Sequence, residues 1–213
     1  MPAPAPASVR LPTGERQVLI VAAAIALAGR QSPAAITTAD IAREVGVTQG
    51  ALFKHFATRE AIWLAVMEWV TQQLLARLEA AAQAPAPDTP PGAACALDAL
   101  GRVFMAHVGF IIECPGVPRL IFHDLQQPAD SPLKRQLGVL LQRYRQLLTR
   151  LLQSAVQQGE VPADLDIAAS VTMFIGIVQG LAMQSILAGR SADLAGESAR
   201  VLPLYLRSLR KAP

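Results

Sequence analysis

ITTADIAREVGVTQGALFKHFATRE, Ile36 to Glu60, decides how the rest of the chain is read. Thr38 and Asp40 suit a helix start, and Gly46 suits a stop in left-handed backbone. Thr48 can cap a second short helix, and Thr58 a longer one with Glu60 early in its first turn. Ile41, Ala42, Val45, Val47, Leu52 and Phe56 fall where two helices, joined by a tight turn at Gly46-Val47, face one core. This is a helix-turn-helix pattern, whose second helix fits the major groove of duplex DNA. Gly50 and Ala51 at the front of that helix let it approach base edges closely. Lys54, His55 and the helix N-terminus supply positive potential for phosphates.

TTADIAREVGVTQGALFKHFATREAI, Thr37 to Ile62, resembles the DNA-binding signature of the tetracycline-repressor (TetR) family of transcriptional regulators. The Thr-Thr opening, Ile-Ala, Gly-Val-Thr, Gly-x-Leu-aromatic, His-Phe and a basic-Glu pair carry the likeness, which covers about residues 15–65. It implies that Thr38 and Thr48 touch phosphates through hydroxyl and backbone amide. Gln49 and Ala51 lie on the base-reading face, Gln49 suited to adenine and the Ala51 methyl to a thymine methyl. Lys54, His55 and Arg59 resemble backbone contacts. Phe53 stands where the family has tyrosine; it keeps the packing and loses a hydroxyl that would bond phosphate.

Composition is compatible with that reading and adds a limit. Of 213 residues, 52% are apolar and only 16% charged, and the net charge is +3. Residues 10–60 hold Arg10, Arg16, Arg30, Arg43, Lys54 and Arg59 against Glu15, Asp40, Glu44 and Glu60, a net of +2. Such a weakly basic unit gains from presenting its phosphate contacts twice, in a dimer. Cys95 and Cys114 lack zinc-ligand spacing, and a reduced cytoplasm is the expected compartment. No metal set, nucleophile–base pair, phosphate loop or carboxylate dyad stands at a telling spacing, so no enzyme, metal or cofactor is expected.

Breakers divide the chain into an all-α arrangement of about nine helical blocks. Residues 1–14, rich in Pro and Ala, read as a disordered arm, 15–60 as the helix-turn-helix unit, and 61–213 as a larger helical domain for effector binding and dimerisation. Three short blocks are expected between Thr37 and the long helix that opens at Thr58 and ends near Ala82. A proline-rich linker spans Ala84 to Ala93, and further helices fall at about 93–113, 117–126, 132–158, 165–188 and 195–210.

From Ile167 to Gly189 no residue is charged, so length alone would permit a membrane span. Ser170, Thr172, Gln179, Gln184 and Ser185 argue against one. Gly176 and Gly180, four apart, share a face that lets another helix come close. The resemblance implies that the last two long helices pair with those of a second copy, with Leu202 and Tyr205 joining the interface of a homodimer on a palindromic operator. It also implies a small-molecule effector, apolar or aromatic, held among Phe104, His107 and Phe110 of the fifth block, Phe122 and His123 of the sixth, Tyr144 of the seventh, and Met173, Phe174 and Ile177 of the eighth. Repression relieved by that effector is the expected output.

Overall fold

The computed structural model describes residues 13–85, 95–126, 130–189 and 193–210. Within them lie nine α-helices and no strand: α1 Thr13–Arg30, α2 Thr38–Val45, α3 Gln49–Phe53, α4 Arg59–Gln83, α5 Ala96–Glu113, α6 Gly116–Leu125, α7 Pro132–Gln157, α8 Ile167–Ala188 and α9 Asp193–Leu209. The all-α expectation holds. The expected arm falls mostly outside the described residues, as does most of the proline-rich linker, while α1 already begins at Thr13.

Two details near the opening stretch differ from the expectation. Between Thr37 and Thr58 there are two α-helices, not three; the further short element is a 3-10 turn at Pro33–Ala35, ahead of them. The cap of α2 is Thr37 rather than Thr38. The Thr37 hydroxyl accepts from Asp40 N at 3.1 Å, and the Asp40 carboxylate accepts from Thr37 N at 2.9 Å. This reciprocal capping box satisfies two backbone donors that the first turn leaves free. These bonds from Thr37, with Arg43 nearby, hold the Asp40 carboxyl below its usual range. Gly46 closes α2 with φ of 74°, a conformation that costs other residues a Cβ clash.

Other helix ends are fixed by side chains from nearby or far. Thr48 accepts from Ala51 N, Thr58 from Ala61 N, Ser131 from Lys134 N and Asp166 from Ala169 N. Cys95 cannot cap α5 well, and Glu160 does so from the turn just past the end of α7. Its carboxylate accepts from Ala96 N and Leu97 N, each at 2.8 Å, and from the Cys95 thiol at 3.0 Å. Burial, then the Glu160 carboxylate, push the Cys95 thiol up, so it is no ready thiolate.

One continuous apolar core runs from Ile20 in α1 to Leu209 in α9. Helix α4 is its spine, packing against α1, α5 and α7, while α6 lies across α1 and the 3-10 turn. Residue 60, the expected domain boundary, falls in the first turn of α4, so that helix carries packing from one side to the other. Helix α8 is long and apolar enough to cross a membrane. Ser170, Val171, Phe174, Ile175, Val178, Leu181 and Ala182 form its one buried face, against α5, α7 and α9.

Candidate nucleic-acid interface and effector cavity

The reading unit is built on a dry platform. Ile41, Ala42 and Leu52 are at most 2% exposed, and Phe56 is buried beside them. With Leu52 pointing into that core, the opposite side of α3 must face water. Gln49, Gly50, Phe53 and Lys54 are exposed there, and Ala51 is half-buried. Gln49 Nε2 donates to Thr38 Oγ1 at 2.7 Å, which joins the first residue of α2 to the first of α3. Thr48 is exposed at the cap of α3, its hydroxyl already bonded to Ala51 N. His55 is half-buried; its carbonyl accepts from Gln17 of α1, and its Nδ1 is buried without a hydrogen-bond partner.

Two features correct the electrostatic expectation. Arg59 does not face outward: its guanidinium donates to Pro33 O and Ala34 O and lies over the Trp63 ring at 5.9 Å. It fastens the start of α4 to the 3-10 turn instead of standing free for phosphate. Arg30 and Arg43 are also paired inside the unit, with Glu44 at 2.6 Å and with Asp40. The reading face therefore presents Lys54 and few other cations. Since α3 has only five residues, it also carries little macrodipole.

Deeper in the molecule, a cavity of about 280 Å³ lies between α4, α5, α6, α7 and α8. His107, Phe110, Phe122 and Tyr144 line it, together with residues the sequence did not single out for it. These include Val70 and Leu74 of α4, Pro118, Ile121 and Leu125 of α6, Leu137 and Leu141 of α7, and Ile175, Val178 and Gln179 of α8. His107 Nδ1 and the Tyr144 hydroxyl are 3.0 Å apart. Protein encloses His107 while its ring borders the cavity space, and loss of hydration drives its pKa down to about 4. Burial also pushes the Tyr144 hydroxyl well above its usual range, so both groups are neutral at ordinary pH.

Five expected pocket residues stand elsewhere. Phe104 and Phe174 pack edge to face at 5.3 Å in the layer behind Tyr144. Met173 points outward and is 48% exposed, and Ile177 is half-buried on a side of α8 away from the cavity wall. His123 lies on the other side of α6, in a recess with Arg59 and Trp63. Aromatic or bulky apolar character marked these residues in the sequence, but the angular position of each on its helix decides what it faces.

The interface residues divide in the same way. Gly176 and Gly180 face open space, and a Cβ on either would meet nothing within 4 Å. Met173, Gly176, Gly180, Met183 and Leu187 follow a three-four spacing along that side, with Leu187 79% exposed. Leu202 and Tyr205 do not join them. Leu202 packs toward Gly101 of α5, and Tyr205 is 2% exposed, its hydroxyl donating to Ser170 O at 3.0 Å. Both belong to the inward stripe of α9 with Leu194, Ser198 and Leu209, whereas Leu204 is the leucine that faces out.

Comparison with known proteins agrees with this architecture in both halves. The family profile described as bacterial regulatory proteins, tetR family, matches residues 20–66, and that of the tetracyclin repressor-like C-terminal domain matches residues 127–199. The HTH-type transcriptional regulator SrpR of Pseudomonas putida is 27% identical over 207 residues, covering 93% of this chain and 87% of SrpR. The nucleoid occlusion factor SlmA of Marinomonas is 24% identical over 170 residues, covering 78% and 80%. The crystal structure of the transcriptional regulator FadR from Bacillus subtilis, solved with stearoyl-CoA, superposes with a TM-score of 0.74 at 21% identity, over 89% of this chain and 97% of FadR. That likeness concerns the fold. A helix-turn-helix face over a dry platform, a helical domain behind it and family matches on both lead to one conclusion: the chain belongs to the tetR family of bacterial regulatory proteins and is a DNA-binding transcriptional regulator.

Proposed function

We propose that this regulator is a repressor that binds a palindromic operator as a homodimer and leaves it when a small apolar or aromatic molecule fills the cavity. The exposed Gln49-Gly50 pair at the head of α3, held by Thr38 and backed by buried Leu52, carries the reading. In this assignment Gln49 and Ala51 read bases, while Thr38, Thr48, Lys54 and the Phe53 and His55 edges follow the backbone. Residues 15–60 form the reading unit and 61–213 the effector and dimer unit. The uncharged seam through Gly176 and Gly180 is the face on which a second copy docks, since close approach there meets no side chain. The regulator acts in the cytoplasm, where the DNA of a bacterium lies.

The link from cavity to DNA runs through α6 and α4. Helix α6 lines the cavity with Val117, Pro118, Ile121, Phe122 and Leu125, and its first residue, Gly116, packs on α1. Helix α4 lines it with Val70 and Leu74, and its start is fastened to the 3-10 turn by Arg59. A ligand that prefers a shifted α6 moves the reading heads off operator spacing, which is a population shift. The alternative, a regulator without an effector, gives no purpose to the cavity. Occupancy of the cavity should weaken operator binding at least tenfold in a gel-shift titration. A ligand that binds there and leaves operator affinity unchanged contradicts the proposal.

A further inference from the structure

We propose that the cavity selects an uncharged, largely apolar molecule with one hydroxyl or carbonyl group, and that the Tyr144–His107 pair determines this selectivity. The inference rests on reading the cavity as the effector site and names the chemistry of its ligand. Among the eighteen described residues that line the cavity, only His107, Tyr144 and Gln179 have a polar side chain, and none of the eighteen is an acid, lysine or arginine. A carboxylate or ammonium entering there loses its hydration and gains no counter-ion, which burial in an apolar medium penalises heavily. A hydrocarbon without a polar group gains the apolar contact but leaves the phenol and imidazole with only each other.

The pair can meet either kind of neutral polar group. The Tyr144 hydroxyl and His107 Nδ1 are 3.0 Å apart, and the donor between them depends on the imidazole tautomer. When Tyr144 O–H donates to Nδ1, the phenolic oxygen keeps a lone pair to accept from a ligand hydroxyl. When Nδ1–H donates to the phenolic oxygen, the Tyr144 O–H is free to donate to a ligand carbonyl. Neither arrangement changes the net charge. Tyr144 itself is fixed from behind by Phe174, at 6.1 Å between ring centres and edge to face, so the hydroxyl is held in place. An occupancy reporter is built in, because Trp69 lies against Phe110, a cavity residue, at 6.2 Å between ring centres.

The test compares three molecules of one shape, naphthalene, 2-naphthol and 2-naphthoate. Each is titrated into the full-length protein and followed by tryptophan fluorescence and calorimetry. The expected order is 2-naphthol about three- to tenfold tighter than naphthalene, the range one added hydrogen bond supplies. Binding of 2-naphthoate should be at least a hundredfold weaker than that of 2-naphthol. Tyr144→Phe should bring the naphthol-to-naphthalene ratio to about one. Binding of 2-naphthoate as tight as that of 2-naphthol overturns the proposed class without any variant, and leaves the cavity a ligand site. A ratio preserved in Tyr144→Phe removes the pair as the determinant. If none of the three binds, the effector reading fails together with the class.

Discussion

Gly116, the first residue of α6, lies against the backbone of α1 at Ile25 with no room for a side chain. A Cβ on Gly116 would come within 2.8 Å of Gly29 N, and closer still to the Ile25 carbonyl oxygen. The opposite side of the contact is roomier. A Cβ on Gly29 would meet Gly116 N and Pro115 Cγ at an ordinary 3.5 Å. Gly116→Ala should therefore push α6 off α1 and cost about 1–3 kcal/mol, the usual penalty of overpacking. Gly29→Ala should cost little. Urea unfolding of the two variants checks the asymmetry, and equal penalties would contradict it.

Three substitutions on the reading unit should separate into three behaviours. Gln49→Ala relaxes base preference at one position in each half-site, a loss of about 1–3 kcal/mol of discrimination there. Lys54→Ala weakens binding to all sequences alike and reduces the salt slope by about one per protomer. Arg59→Ala, which removes bonds to Pro33 O and Ala34 O, lowers stability by about 1–3 kcal/mol and leaves the salt slope of the folded protein unchanged. Binding isotherms over a salt series, with thermal unfolding alongside, distinguish them.

His107 makes stability depend on pH in a definite direction. Its folded pKa, about 4, lies below the ordinary value of 6.5, so the unfolded chain binds the proton more readily between those values. Stability is fully present above about pH 6.5 and is lost as pH falls toward 4. Between pH 7 and pH 5 the loss from this group is about 2 kcal/mol. His107→Gln should flatten that part of the profile, as denaturant unfolding at each pH would show. An equally steep profile in the variant would assign the effect to other groups.

The sequence disclosed the reading unit well because its geometry is local. Gly46, Thr48 and the apolar residues from Ile41 to Phe56 fix a turn and a platform within two short helices, where spacing and contact are nearly the same thing. The cavity was harder to see. Val70, Leu137, Leu141 and Val178 have the spacing of ordinary core, and whether a space lies in front of them depends on how far apart five helices sit. Gln179 stands in the uncharged run with a second amide, Gln184, and nothing in their spacing marks Gln179 as the one that lines the cavity. Leu202 and Leu204 show the same difficulty on α9, since leucines occupy both sides of that helix and periodicity does not tell the inner stripe from the outer. Arg59 looked like a phosphate contact because the carbonyls it bonds, at Pro33 and Ala34, lie about 25 residues earlier in the chain.

The open seam on α8 leads to a prediction about assembly. Leucine at both Gly176 and Gly180 fills the approach of a second helix without touching the chain's own core, since neither Cβ position meets an atom within 4 Å. The double variant should keep its melting behaviour as a folded chain, sediment as a monomer and bind operator weakly. A dimer of unchanged mass would move the interface away from α8.

The measurement closest to the central claim is selection of duplexes from a random DNA pool by the purified protein. Two inverted copies of one half-site, at a fixed spacing and with a preference lost at one position per half-site in Gln49→Ala, is the predicted outcome. Enrichment of a single unpaired element, or of no sequence at all, would contradict an account in which α3 reads the groove from both members of a symmetric pair.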